Sequence, residues 1–156
     1  MLPEEEKFFD DDDVPNRKEH NSLSNEEFND KVLIIDDEPM NITVLKSLLE
    51  NEKVESESMA SGVKALEHLG DLIFTRQPLY KVILIDFCMP GLDGPQTALH
   101  IRELCQDAGR QVPYMACCSA YTESTFEQIA LGAGISVFYT KPLSTSQIKE
   151  LVAQLN

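Results

Sequence analysis

Five side chains carry the chemistry this sequence offers: Asp36, Asp37, Asp86, Ser119 and Lys141. Three carboxylates, a hydroxyl and an ammonium brought to one place make a site for a divalent cation and a phosphoryl group. Carboxylates held ~4 Å apart repel by about 4 kcal/mol per pair at a typical effective dielectric. Such a cluster protonates, sheds a charge or binds a cation. Oxygen-only donors, partly hydrated and combined with a phosphate, favour Mg2+. Lys141 supplies a mobile ammonium for phosphoryl oxygens and Ser119 a donor hydroxyl. Phosphoryl transfer needs an in-line nucleophile, a metal and fixed donors for the equatorial oxygens. No Cys–His or Ser–His pair is suggested, so the nucleophile is a carboxylate and the product an aspartyl phosphate. Taken singly, each residue says less. Asp36-Asp37 alone would cap a helix, Asp86 would mark a turn, and Lys141 would be a solvated charge. The joint placement decides.

That placement follows from the elements that precede each residue. Val32-Leu33-Ile34-Ile35, Val82-Ile83-Leu84-Ile85, Tyr114-Met115-Ala116-Cys117-Cys118 and Val137-Phe138-Tyr139-Thr140 are short runs, apolar without alternation. Runs of this kind suit strands buried on both faces of a parallel sheet. In such a sheet the carboxyl ends share one edge, where ligands bind at the topological switch point. The pattern predicts strands near 31–35, 54–59, 81–85, 114–118 and 137–140.

Helices alternate with them. Pro39 opens the first, with Ile42, Leu45, Leu48 and Leu49 at helical spacing. The second follows Ser61-Gly62 and places Val63, Leu66, Leu69 and Ile73 on one face, with Gly70 interrupting it. The third carries Ala98, Ile101, Leu104 and Cys105. The fourth presents Phe126, Ile129, Ala130 and Ala133 and stops at Gly134. Ser144-x-x-Gln147 reads as a capping box opening the last, with Ile148, Leu151, Val152 and Leu155. Right-handed crossovers put these helices on both faces of one sheet, an α/β fold.

At 156 residues the chain is long enough for one domain with a proper core. Its net charge of −14 argues against nucleic acid or anionic lipid as a general electrostatic partner. No apolar stretch approaches the ~20 residues that span a bilayer, and the start lacks a secretory pattern. We read the chain as cytoplasmic, with no membrane contact by this segment. Residues 1–30 hold eleven acidic against three basic residues, including the block Asp10 to Asp13. They read as an acidic leader or linker without fixed structure, and 31–156 as the folded domain. Cys88, Cys105, Cys117 and Cys118 show no metal-ligand spacing and read as reduced thiols. Cys117 and Cys118, being adjacent in a strand, point to opposite faces. His20, His68 and His100 lack the following acid of a phosphodonor histidine, so the phosphoryl group comes from elsewhere.

The stretches Val32-Leu33-Ile34-Ile35-Asp36-Asp37-Glu38 and Ile85-Asp86-Phe87-Cys88-Met89-Pro90-Gly91-Leu92-Asp93-Gly94, with Ser119-Ala120 and Lys141-Pro142, resemble the receiver domain of two-component response regulators. The resemblance covers about 31–156 in the right order and spacing. It implies the flavodoxin-like (βα)5 fold, a doubly wound parallel five-stranded sheet with strand order 2-1-3-4-5, a topology known from receivers. It also implies that Asp86 is the phosphoacceptor. Asp37, Asp86 and the backbone carbonyl of Cys88 would bind Mg2+, with Asp36 acting through metal-bound water. Ser119 and Lys141 would contact the phosphoryl group, and the Lys141-Pro142 bond would be cis. In the family an aromatic residue three before the lysine reorients as the hydroxyl residue moves. Here it is Phe138, without the phenol that many members carry. Cys88 and Tyr121 occupy positions that tune dephosphorylation.

The implied function is phosphorelay signalling. A histidine kinase or histidine phosphotransfer domain donates the phosphoryl group, and a downstream protein reads the face of the fourth helix, fifth strand and fifth helix. Such a domain turns over its own phosphoryl group and is not a multi-turnover enzyme. Asn41 resembles the receivers of hybrid histidine kinases, so a stand-alone receiver or a portion of a hybrid kinase is expected. Two alternatives stay open: a metal-dependent phosphatase, and a receiver-like interaction module that is never phosphorylated.

Overall fold

In a computed structural model, residues 27–156 are described. Five strands and five helices alternate along the chain. They are β1 (Phe28–Ile35), α1 (Pro39–Asn51), β2 (Ser56–Met59), α2 (Gly62–Phe74), β3 (Leu79–Asp86), α3 (Gly94–Asp107), β4 (Tyr114–Ser119), α4 (Ser124–Gly132), β5 (Val137–Thr140) and α5 (Thr145–Ala153). The strands form one sheet in the order β2-β1-β3-β4-β5, every pair parallel. This is the flavodoxin-like fold with the 2-1-3-4-5 order that the sequence implied.

The unalternating apolar runs explain the sheet. Leu33, Ile35, Ile83, Ile85, Met115 and Cys117 face one side, where Ala65 and Leu69 of α2, Ile101 of α3 and Ala130 of α4 cover them. Val32, Ile34, Val82, Leu84, Ala116 and Cys118 face the other, covered by Leu49 of α1 and by Ile148 and Leu151 of α5. All four cysteines are unpaired; Cys105, Cys117 and Cys118 are buried and Cys88 is exposed.

Local signals set the helix starts. Ser61 Oγ accepts from Lys64 N–H at the head of α2. Asp93–Gln96 and Ser144–Gln147 form reciprocal capping boxes for α3 and α5. Gly70 does not interrupt α2, which runs through to Phe74. Val63 in α2 and Ile129 in α4, expected on buried faces, are 50% and 54% exposed. Gly62 explains the first: a Cβ there would meet Thr97 Oγ1 at 2.2 Å, so α2 approaches α3 through its glycine and turns Val63 outward. The helix α4 closes at Gly132, and Gly134 follows with φ +93.

The strand β1 starts at Phe28, inside the stretch read as leader. Glu27 explains its position. Its carbonyl accepts from Leu79 N–H, and its carboxylate from Arg110 Nε and Gln111 N–H, both at 2.9 Å. The rest of the leader, His20 included, lies outside the described residues. No helix among the described residues is long and apolar enough to cross a membrane.

Candidate metal centre

The sheet register brings the acids together. Ile35 pairs with Ile85, so Asp36 and Asp37 leave β1 where Asp86 ends β3. One carboxylate oxygen from each of Asp36, Asp37 and Asp86 lies within 4.8 Å of the others. Asp36 and Asp86 are buried, at 2% and 8% exposure, and Asp37 is open to solvent. Asp36 Oδ1 accepts from Glu38 N–H at 2.9 Å, which fixes its orientation.

Lys141 closes the group. Its Nζ lies 2.6 Å from Asp86 Oδ1 and 3.7 Å from Asp36 Oδ2. Three carboxylates thus face one ammonium. Burial pushes the Asp86 carboxyl above the usual carboxylate range; Lys141 opposes the shift, and Asp36 and Asp37 add to it. Burial works against the Lys141 charge as well, but the bond to Asp86 outweighs it and the lysine holds its proton more tightly than usual. Burial, with the surplus of negative charge adding to it, disfavours the ionised acid while the base keeps its proton.

Backbone contacts lock the rim. Lys141 N–H donates to Ser119 O at 2.8 Å, and the Lys141-Pro142 bond is cis. Phe87 N–H donates to Cys118 O and Gly94 N–H to Phe87 O. A Cβ on Gly94 would meet Asp86 O at 2.5 Å and Phe87 Cα at 2.9 Å, so only glycine lets the head of α3 lie against the backbone of Asp86.

Asp86 pairs with Cys118, which puts Ser119 one residue further along β4 toward the site. The Ser119 side chain is buried, and its Oγ accepts from Tyr121 N–H at 3.0 Å. Cys88 stands exposed on the loop after β3. Phe138, paired with Cys117, lies outside the charged group. Its ring stands nearly perpendicular to that of Phe87, 6.4 Å away.

Three features escaped sequence reasoning. Phe87 contacts Phe126 edge to face at 5.2 Å, and Phe126 stacks on Tyr121 at 4.9 Å and 15°. A groove of about 260 Å³ between α1 and the loop after β5 is lined by Val44, Leu45, Leu48, Pro142 and Leu143, with Lys141 at its rim. Away from the site, Lys31, Glu57, His68 and Tyr80 form a polar cluster. The one hint in the sequence was Phe87, a large ring directly after Asp86 and before a turn.

Fold and site together define a flavodoxin-like module with an acidic, lysine-bearing pocket at the carboxyl edge of its sheet. The family model for the response regulator receiver domain matches residues 32–153, and the chain belongs to that family. It is 32% identical over 125 residues to hybrid signal transduction histidine kinase L of Dictyostelium discoideum, covering 78% of this chain but 7% of that protein. This chain therefore spans a small fraction of the length of that relative. Among solved structures it is similar to the receiver domain of Francisella response regulator 1452, with 30% identity, TM-score 0.62 and coverage of 82% and 94% of the two chains. The fold also matches a co-crystal structure of the Saccharomyces cerevisiae histidine phosphotransfer protein Ypd1 with the receiver domain of Ssk1. There the TM-score is 0.67 at 22% identity, over 79% of this chain and 86% of that one.

Proposed function

We propose that Asp86 accepts a phosphoryl group from a phosphohistidine on a partner protein, with Mg2+ in the acidic pocket. The convergence of Asp36, Asp37 and Asp86 on Lys141 carries this reading. An Asp86 oxygen attacks phosphorus in line. The O–P bond forms as the N–P bond of the donor breaks, and the departing imidazole nitrogen keeps the electron pair and takes up a proton. The Lys141 ammonium exchanges its Asp86 contact for a phosphoryl oxygen, and the Ser119 hydroxyl donates to another. Hard carboxylate oxygens, with Asp37 open to water, fit Mg2+. Asp37, Asp86 and the Cys88 carbonyl would hold it, with Asp36 acting through water. An ion held there would supply positive charge against the phosphoryl oxygens.

The donor is a histidine kinase or a histidine phosphotransfer domain, the class of protein that Ypd1 represents beside the Ssk1 receiver. Its docking surface is the apolar groove beside Lys141, flanked by exposed Met40 and Val44. The output face is that of α4, β5 and α5. The setting is cytoplasmic, where ATP-derived phosphohistidine is made. The acidic segment ahead of β1 is a leader or linker, and the chain acts as a stoichiometric switch whose conformational equilibrium phosphorylation shifts.

Acetyl phosphate with Mg2+ labels the wild type, and Asp86→Ala stays unlabelled. Equal labelling of both proteins would refute the assignment. Docking is tested separately: Val44→Asp slows transfer from a histidine phosphotransfer protein and leaves labelling by acetyl phosphate, which needs no docking, intact.

A further inference from the structure

We infer that the outward face of α2 pairs two copies of this chain, helix against helix and antiparallel. The inference goes beyond the phosphoryl-acceptor reading and does not depend on it.

Helix α2 is apolar on two sides. Its inner side is Gly62, Ala65 and Leu69, buried against α3 and the sheet. A second line, Val63, Gly70 and Phe74, runs along the outer side for three turns, about 16 Å from end to end. Val63 is 50% exposed, and Phe74, at 87%, is the most exposed large apolar side chain among the described residues. Gly70 lies between them. Nothing stands within 4 Å of where its Cβ would be, so a second backbone can come close. Single exposed apolar side chains are ordinary, but a line of them on one helix marks a contact surface.

The charges along the line name the occupant. Lys64 and Asp71 are exposed on one flank of α2, and neither forms an ion pair among the described residues. A two-fold axis relating antiparallel helices sets each flank against the same flank of the other copy. The pairs Val63–Phe74, Glu67–Gly70 and Lys64–Asp71 have almost the same midpoint on the helix, so one axis serves all three. The large ring then falls beside the smaller side chain, the glutamate over the glycine gap, and the cation beside the anion, each twice by symmetry. The surface is thus self-complementary in size and in charge, as an interface between identical patches must be. A parallel pairing would set lysine against lysine and aspartate against aspartate.

One helix pair is small beside the ~1,200 Å² at which standard interfaces begin. The dimer is therefore a weak one, with a dissociation constant on the order of 0.1 mM.

The test is sedimentation velocity of the full 156-residue chain, in about 0.15 M salt to screen its net charge of −14. The wild type should pass from monomer to dimer between about 0.02 and 1 mM. Phe74→Ala should weaken the dimer about tenfold. Lys64→Asp and Asp71→Lys should each do as much alone, by setting like charges together. Mixed in equal amounts, those two variants should associate as well as the wild type, because each offers the charge the other lacks. All three side chains are exposed, and urea unfolding of each variant verifies that the fold is kept. A wild type still monomeric at about 1 mM would overturn the inference. So would a dimer indifferent to Phe74→Ala, or two charge variants that stay monomeric when mixed. The acceptor reading is tested apart from this, since labelling by acetyl phosphate should be equal in the wild type and Phe74→Ala.

Discussion

The molecule carries acid in two very different settings. At the carboxyl edge of the sheet, Asp36, Asp37 and Asp86 share one ammonium, and burial pushes Asp86 above its ordinary range. Toward the amino ends of the strands, acids are matched. Tyr80 O–H and Lys31 Nζ both donate to Glu57, and they hold its carboxyl below the usual range. His68 Nε2 lies 2.7 Å from Tyr80 Oη. Since the single Tyr80 proton goes to Glu57, the His68 Nε2–H is the donor in that contact. For Glu27, burial pushes upward, but hydrogen bonds from Gln111 and Arg110 outweigh it and hold the carboxyl low. One end of the sheet has completed its electrostatics internally, and the other needs something from outside.

The sharpest way to break this contrast is Asp86→Asn. Labelling by acetyl phosphate should vanish, and the melting midpoint should rise by a few degrees at neutral pH. The sign follows from linkage. A carboxyl with a raised folded pKa contributes stability that is complete below its unfolded pKa and lost as pH rises through the folded one. The two proteins should therefore melt together in acid and separate above the carboxylate range. A lower midpoint for Asp86→Asn at pH 7 would show that the site is satisfied after all.

Lys141→Ala comes next. Losing a positioned cation from a phosphoryl site should slow labelling by roughly 10²-fold. Lys141→Arg should recover only part, since a planar fork is not a point charge. Stopped-flow measurement of phosphorylation rates decides this.

A backbone test is smaller. Gly94→Ala drives a methyl against Asp86 O and should cost about 1–3 kcal/mol in urea unfolding. Gly70→Ala, with nothing within 4 Å of the new methyl, should gain about 0.5–1 kcal/mol. The smallest effect belongs to the satisfied cluster. Glu57→Gln should leave labelling unchanged and cost about 1 kcal/mol or less, because the carboxylate is partly exposed. Its lowered pKa gives stability that is present above the unfolded value and lost as pH falls through the folded one. The variant should thus show a shallower loss of stability in acid.

Much of this was legible in the sequence because parallel strands buried on both faces leave an unmistakable apolar run, and the site residues sit at the ends of such runs. Asp86 could be placed beside Asp36 from the order of the elements alone. The start of β1 was hidden, since Phe28-Asn29-Asp30 reads as leader, and Glu27 just before it is held by Arg110 across 83 positions. Val63 and Ile129 misled because helical spacing names a face without saying which neighbour covers it. The stack of Tyr121 on Phe126, and the edge-to-face contact of Phe126 with Phe87, depend on ring orientation, which no spacing encodes.

The distribution of thiols has a practical consequence. Cys105, Cys117 and Cys118 are walled into the core, and burial pushes Cys117 up to about 12. A reagent offered to the folded protein among its described residues meets Cys88 alone, two residues past Asp86. The native chain thereby carries its own single-point attachment for a fluorophore or spin label, at the mouth of the pocket whose occupancy one would wish to watch.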